Sequence, residues 1–386
     1  IAKGDKRNKG IVSAGTVNAV VNLARTEPQL RTRQEQWDAD PWMLGTPDGT
    51  VDLHTGKIRA ARPEDLISRR TAVAPIPLDR FDPEEDCPEF LRFLRFACND
   101  DRALVDYLLK WGGYALTGDT REQQFLFVYG TSGTGKSTLL NLFLWLLGDY
   151  GTHVDMGTLT QRRFDQHMQE LARLEGARLV VSSETEANRS WAEARLKAIT
   201  GGDPITANLM RENARTFMPV FKLMIAGNHR PALTTADPAI ERRINIVGFD
   251  RPPARRDDGL MDRLKAEGPG ILSLLIKACL RWQRDGLKRP KIVAEAVRDY
   301  FAAEDTFAQW VDEECERGDD YAATTEALFD SWSWYARKAQ AEPGSRNRTF
   351  PEDMRRLGFT ATKNRFGIRG RGFRGIRLRA EISDLI

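Results

Sequence analysis

Between the apolar run FLFVY (125–129) and the helical pattern STLLNLFLWLLG (137–148) stands Gly130-Thr131-Ser132-Gly133-Thr134-Gly135-Lys136-Ser137. This is GxxxxGK[ST] in strand–loop–helix context, the setting the motif requires. Its glycines let backbone N–H groups curl around an anion, and the following helix aims its positive end at the same point. The spacing predicts a phosphate-binding loop from Gly130 to Thr138, with Lys136 against the β- and γ-phosphates and Ser137 as a Mg²⁺ ligand. The loop also narrows the fold. ARLVVSSE (177–184), FKLMIAGN (221–228) and RRINIVGF (242–249) are short runs, apolar along their length. Strands of that kind are buried on both faces, so an α/β fold with a mostly parallel sheet is expected.

A phosphate loop specifies a nucleotide, and three further features suggest ATP hydrolysis. Glu184 and Glu186 end an apolar strand, where a carboxylate can hold Mg²⁺ or polarise a water. The strand FKLMIAG ends in Asn228, whose amide could read the γ-phosphate or the attacking water; a turn-forming Asn is the plainer alternative. Arg242 and Arg243 open the next strand, where an arginine could reach a neighbour's γ-phosphate or simply sit in an ion pair.

The rest of the 386-residue chain divides by pattern. Residues 1–40 read as a ragged polar lead-in, 41–119 as a mostly helical N-terminal region, 120–255 as the nucleotide core, 256–300 as a helical linker and 301–386 as a C-terminal domain. WMLGTPDGTVDLHTGKIRA (42–60) reads as two short strands around Asp-Gly and Thr-Gly turns. CPEFLRFLRFACND and DRALVDYLLKWGGYALTG read as amphipathic helices split by Asn99-Asp100-Asp101, and 257–340 reads as helical throughout. Trp332, Trp334 and Tyr335 at helical spacing are expected in a core. The longest apolar runs are far below the roughly 18 residues of a membrane span. Cys87, Cys98, Cys279 and Cys315 are widely spaced with no CxxC, against a disulfide scaffold or zinc site and in favour of a reducing cytoplasm.

Charge is uneven. Residues 343–379 hold eleven Arg/Lys against two acids, a local +9 in a chain whose net charge is +3. A basic end on a mildly acidic body points to a polyanion.

Taken in order, the phosphate loop, the Glu184/Glu186 acids, Asn228 and the Arg242/Arg243 pair resemble the superfamily 3 helicases, and most of all the helicase part of phage- and plasmid-type primase–helicases, related to the poxvirus primase–helicase. The similarity extends to GTVDLHTGKIRA, CPEF, GYALTGDTREQQFLFVYG, LKAITGGDPITANLMRENARTFMPVFKLMIAGNHRP and the C-terminal LFDSWSWYARKA, FPEDMRRLGF and GIRL, about residues 40–380. One departure is the Glu-Thr-Glu acidic motif, in place of two adjacent acids. The resemblance implies an AAA+-like core, a C-terminal winged-helix-like domain, a ring of usually six subunits moving 3′→5′ on single-stranded DNA, and a primase domain in full-length relatives. No stretch here resembles that primase domain, and the Ile1 start suits a truncated chain. It also implies that ITANLM and ARTFMP (205–218) form a hairpin in the ring channel, with Lys197, Arg211 and Arg215 toward phosphate; a solvated tip is the alternative. In the basic end, Arg369, Arg371 and Arg374 would form a wing along duplex or forked DNA, with Phe366 and Phe373 stacking or packing. Two other functions fit a phosphate loop: a P-loop kinase, and a DNA-binding initiator module that ATP merely switches.

Overall fold

The structure is a computed structural model and describes residues 13–27, 32–161, 171–183, 190–207, 215–233, 237–339 and 341–379. Its centre is a five-stranded sheet of β4 (Phe125–Tyr129), β5 (Gly151–His153), β6 (Leu179–Ser183), β9 (Lys222–Gly227) and β10 (Ile244–Gly248). The order across the sheet is β10-β4-β9-β6-β5, and every pairing is parallel. The expected mostly parallel sheet is therefore present.

Alternation along each strand explains why these runs are apolar throughout. Leu126 and Val128 of β4 face one core with Met224, Ala226 and Val181, whereas Phe125 and Phe127 face another with Leu223, Ile225 and Val180. The first face is covered by α4 (Lys136–Leu147) together with α2 (Pro88–Ala97), α3 (Arg102–Ala115) and α7 (Gly268–Asp285). The second is covered by α5 (Glu193–Gly201), the hairpin β7 (Ile205–Ala207) and β8 (Arg215–Phe217), and α8 (Lys291–Glu304). Burial on both faces satisfies the strands' hydrophobicity while ladder hydrogen bonds satisfy their backbones.

The N-terminal helices follow their sequence signals. Asn99 and Asp100 take positive φ, and the Asp101 carboxylate accepts from the amides of Ala103 and Leu104, so one helix stops and the next is capped within three residues. Residues 42–60 form three strands rather than two: β1 (Met43–Thr46), β2 (Gly49–Asp52) and β3 (Lys57–Arg59), an antiparallel meander. The extra strand arises because both turns, at Asp48-Gly49 and Thr55-Gly56, reverse the chain. Ahead of them lies α1 (Ala14–Thr26), which buries none of its residues. α6 (Leu260–Ala266) and α7 occupy the region read as a linker, and α7 packs along α3.

The C-terminal domain has its own core of Phe307, Trp310, Leu328, Trp332, Phe350 and Phe373. It runs α9 (Thr306–Glu314), β11 (Cys315–Thr324), α10 (Thr325–Lys338), α11 (Thr349–Arg356), β12 (Thr360–Lys363) and β13 (Arg371–Leu378), with sheet order β11-β13-β12. Residues 364–370 connect β12 to β13, where the sequence reading places a wing. Two details differ from the sequence reading. β11 lies in a stretch expected to be helical, held there by antiparallel pairing with β13 across a bulge between Arg317 and Ala322. Trp334 is 57% exposed, with the Lys338 ammonium 5.2 Å from its ring centre, while Trp332 is core. No described helix is long and apolar enough to cross a membrane.

Candidate functional site

β4 delivers the chain to Gly130 at the C-terminal edge of the sheet. A Cβ there would stand 2.1 Å from the Phe249 carbonyl oxygen, and φ is +153°, so only glycine lets the loop leave between β4 and β10. Gly135 has φ +94°, and a Cβ on it would meet the Phe93 ring of α2 at 2.8 Å. The N-terminal helical region is thus pressed against the phosphate loop. Thr131, Ser132 and Gly133 are exposed at the crest, and Thr138 is half-buried one residue beyond Ser137. Thr134 is buried and its hydroxyl donates to Thr131 O at 3.0 Å, closing the turn from inside.

Lys136 is the first residue of α4 and is buried. Its ammonium donates to Gly130 O at 2.8 Å and Thr131 O at 2.6 Å. Burial lowers its pKa from the usual lysine value. A cation held over the loop by its own carbonyls, at the N-terminus of a twelve-residue helix, makes a positive concavity suited to phosphate. Ser137 is exposed in the same first turn and offers a hard oxygen donor of the kind Mg²⁺ prefers.

The strand order brings Asn228 to the same edge. β9 lies between β4 and β6, so exposed Asn228 emerges beside the phosphate loop, and β6 leads toward 184 on its other side. Glu184 and Glu186 lie outside the described residues. The loop after Asn228 is firmly anchored. Trp191 donates through its amide to Ala232 O (3.0 Å) and through Nε1 to the Tyr300 hydroxyl (2.9 Å). Tyr300 donates in turn to Pro231 O, and the Leu233 amide donates to Glu304 Oε2 at 3.1 Å. Arg230 stacks 4.3 Å from the centre of Tyr129 at the end of β4. Nothing local signals that contact; it follows from β4 and β9 being neighbours.

Arg242 and Arg243 lie at the opposite edge. The Phe125 amide donates to Arg243 O at 2.8 Å, so the pair stands beside the start of β4, a strand length of roughly 15 Å from the phosphate loop of the same chain. The two arginines differ. Arg243 is buried, donates from Nη1 to Ala239 O at 2.8 Å, and leaves Nε without an acceptor among the described residues. Burial and the like charge of Arg242 lower its pKa. Arg242 is exposed. Lys197 is near them: its ammonium is 2.6 Å from Asp237 Oδ2. Burial alone would raise the Asp237 pKa, but hydrogen bonds from Lys197 and the Ala239 amide bring it below the usual carboxylate value.

The hairpin expected from 205–218 is present as β7 paired with β8, Ala207 opposite Arg215 at its outer described end. Arg211 at the tip lies outside the described residues. In the C-terminal domain, a groove of about 770 Å³ runs between α11 and the wing, and Arg346, Arg348, Arg355, Lys363, Arg369 and Arg371 line it. Arg374 lies outside that groove. It donates to Asp319 O at 2.9 Å and covers the exposed Phe366 ring at 4.6 Å, while Phe373 is core.

All four cysteines are buried and free, and burial pushes each thiol up to about 12. Among the described residues no cluster of three or more His, Cys, Asp or Glu side chains could hold a metal.

The chain is similar to known proteins. The family described as "D5 N terminal like" matches residues 4–99, and a family of unknown function, DUF5906, matches 128–243, which includes the Lys136 to Arg243 stretch. The protein is similar to "Putative helicase L207/L206" of Acanthamoeba polyphaga mimivirus, 26% identical over 325 residues, 79% of this chain and 33% of that protein. It is similar to "Putative helicase 022R" of Frog virus 3, 26% identical over 407 residues, 84% of this chain and 41% of that protein. The chain thus spans about a third to two fifths of the length of these relatives. Among solved structures, the NrS-1 C terminal region aligns with 89% of this chain and 84% of its own, at 13% identity and a TM-score of 0.47. The D5 N terminal like match and the viral relatives bear out the resemblance read from the sequence, to the helicase part of phage-type primase–helicases.

Proposed function

We propose that this chain is the motor part of an ATP-driven DNA helicase, in which ATP is hydrolysed at a seam between two subunits of a ring, hexameric in the simplest case. The observation that carries this reading is the separation of the phosphate loop and the arginine pair to opposite edges of one parallel sheet. An arginine so placed cannot serve the phosphates bound by its own chain, but a head-to-tail neighbour presents that edge to the next subunit's loop. Exposed Arg242 is then the group that reaches across, and buried Arg243 braces the turn beneath it.

Within the seam, the loop amides and Lys136 bind the β- and γ-phosphates, and Asn228 orients the attacking water. Ser137 and a carboxylate from Glu184 or Glu186 would hold Mg²⁺, which supplies charge neutralisation at the transferring phosphoryl group when bound. Lys136 leaves its carbonyl partners for the phosphates, which costs little because an anion is the stronger acceptor. Single-stranded DNA is gripped through phosphate, by the β7–β8 hairpin with Arg211 and Arg215 and by the groove beside the wing.

The test is ATPase activity with and without single-stranded DNA, on protein whose mass is measured with an ATP analogue. Stimulation by DNA in an oligomer supports the motor. Mixing Arg242→Ala with Lys136→Ala should restore part of the activity that each variant lacks alone. Hydrolysis by a monomer that ignores DNA would overturn the reading.

A further inference from the structure

The turn that carries Arg242 is held by a residue from far along the chain. Arg289 lies in the connection between α7 and α8 and is half-buried. Its Nη2 donates to Glu241 O (3.2 Å), Arg242 O (2.5 Å) and Ile244 O (3.0 Å), and its Nε donates to Asn245 Oδ1 (2.7 Å). One guanidinium therefore collects three carbonyls and an amide oxygen on both sides of Arg242 and Arg243. The Asn245 side chain is fully buried and donates in turn to Gln124 Oε1 (3.0 Å) and Phe125 O (3.2 Å), at the start of the strand that ends in the phosphate loop.

This is an unusual use of a charge. Burial lowers the Arg289 pKa, and its hydrogen-bond partners are neutral oxygens, not a carboxylate. An isolated cation withdrawn from water is costly, so the arrangement holds only where several dipoles converge on it. Here they are the carbonyls of Glu241 and Arg242 at the C-terminal end of the helical turn Pro238–Glu241, an end that favours a cation, together with Ile244 O of β10 and the Asn245 amide oxygen. A planar fork spans this set of acceptors, whereas a lysine's point charge cannot reach Asn245 and the carbonyls in one geometry.

We propose that Arg289 is a positioning residue for Arg242: it fixes the backbone on both sides of that arginine, and so sets the direction in which the side chain leaves for a neighbouring subunit's γ-phosphate. The inference rests on the seam reading above, and makes no contact with nucleotide itself. Arg242 projects from a peptide run pinned at 241, 242 and 244, which leaves it side-chain freedom but little backbone freedom. That is the preorganisation an arginine finger needs, because a misplacement of about 1 Å costs on the order of a hundredfold in rate.

The experiment uses the whole chain with Arg289→Ala and Arg289→Lys. Thermal unfolding and oligomer mass are measured first, then ATP affinity with a fluorescent analogue, then kcat and KM with single-stranded DNA. Expected is a kcat lowered about a hundredfold in Arg289→Ala and about tenfold in Arg289→Lys, with ATP affinity and KM within twofold of wild type. Adding Lys136→Ala subunits, which carry an intact Arg242 turn, should restore activity to either variant. A folded, assembled Arg289→Ala with wild-type kcat would overturn the proposal, as would a loss that Lys136→Ala subunits cannot restore. If Arg289→Ala does not fold, Arg289→Lys decides by the same kcat and mixing criteria. Arg242→Ala separates this inference from the one beneath it. If Arg242→Ala abolishes hydrolysis and Arg289→Ala does not, only the positioning role fails. If both Arg242→Ala and Arg243→Ala hydrolyse ATP normally, the seam reading fails.

Discussion

The amide of Gly130 donates to the carbonyl of Gly227 at 3.3 Å, so the first residue of the phosphate loop is bonded to the residue that precedes Asn228. Whatever moves one of these two loops is felt by the other through a single peptide. On the proposed reading, Asn228→Ala should leave ATP affinity nearly unchanged and lower kcat on the order of a hundredfold, the usual cost of one preorganised donor. Nucleotide titration alongside steady-state hydrolysis checks the split; a weakened affinity with unchanged kcat would contradict it.

Gly130 itself allows a sharper test of architecture. Gly130→Ala forces a Cβ against the Phe249 carbonyl, at a backbone angle that side chains avoid. The variant should lose more than about 1 kcal/mol of stability, because the strain falls on the folded state alone. Urea unfolding measures this directly, and an unchanged midpoint would show that the loop can leave the sheet by another route.

Lys222 predicts a pH dependence. It is fully buried, donates to Thr117 O, Asp119 O (3.2 Å) and Val220 O (3.1 Å), and stands 4.9 Å from the centre of the Tyr114 ring. Burial, and after it the charge of Arg178, hold its pKa well below the usual 10.5. The unfolded chain keeps this proton until the pH nears 10.5, while the folded protein releases it earlier. Between those two points the unfolded state binds more protons, so stability contributed by this site rises with pH. Urea midpoints taken from about pH 7 to about pH 10 should climb for the wild type relative to Lys222→Met. A flat difference across that range would mean the lysine stays charged throughout.

The C-terminal groove separates two kinds of arginine. Arg348→Ala and Arg369→Ala should weaken binding to DNA of any sequence, and each should reduce the slope of log affinity against log salt by about 1. Arg374→Ala should leave that slope unchanged, since its guanidinium is committed to Asp319 O and Phe366. Fluorescence anisotropy over a salt series distinguishes the two groups.

The thiols give a simple control on the fold. With each pushed up to about 12 and buried, native protein should react with none of its four cysteines at pH 8, and all four should react once unfolded. A thiol-reactive dye counts them.

Much of this was legible in the sequence where the signal is local. The phosphate loop, the apolar strands and the Asn99–Asp101 boundary each rest on residues within a few positions of one another. β11 was not legible: Cys-Glu-Arg-Gly-Asp-Asp-Tyr-Ala-Ala-Thr is polar and carries no β-branched run. It is a strand because β13 offers a ladder to it, and pairing of that kind overrides intrinsic preference. Lys197 read as a free cation because its partner Asp237 is forty residues away. Arg289 gave no signal either, since its acceptors are main-chain oxygens and belong to no residue type. Of the three candidate wing arginines, Arg369 precedes β13 and Arg371 opens it, both lining the groove, while Arg374 lies farther along the strand beside Gly375 at positive φ.

One helix joins several of these places. α8 is fourteen residues, about 21 Å of stiff rod. Just ahead of it Arg289 grips the arginine turn, and near its far end Tyr300 and Glu304 grip the loop after Asn228. Asp305 follows at once, caps the next helix, and is bound by Arg356 of α11 at 2.5 Å. A tie-rod of fixed length with a clasp at either end cannot let one clasp shift while the other and α11 stay still. In the proposed ring, that coupling would let the stroke at one nucleotide set the timing of the next.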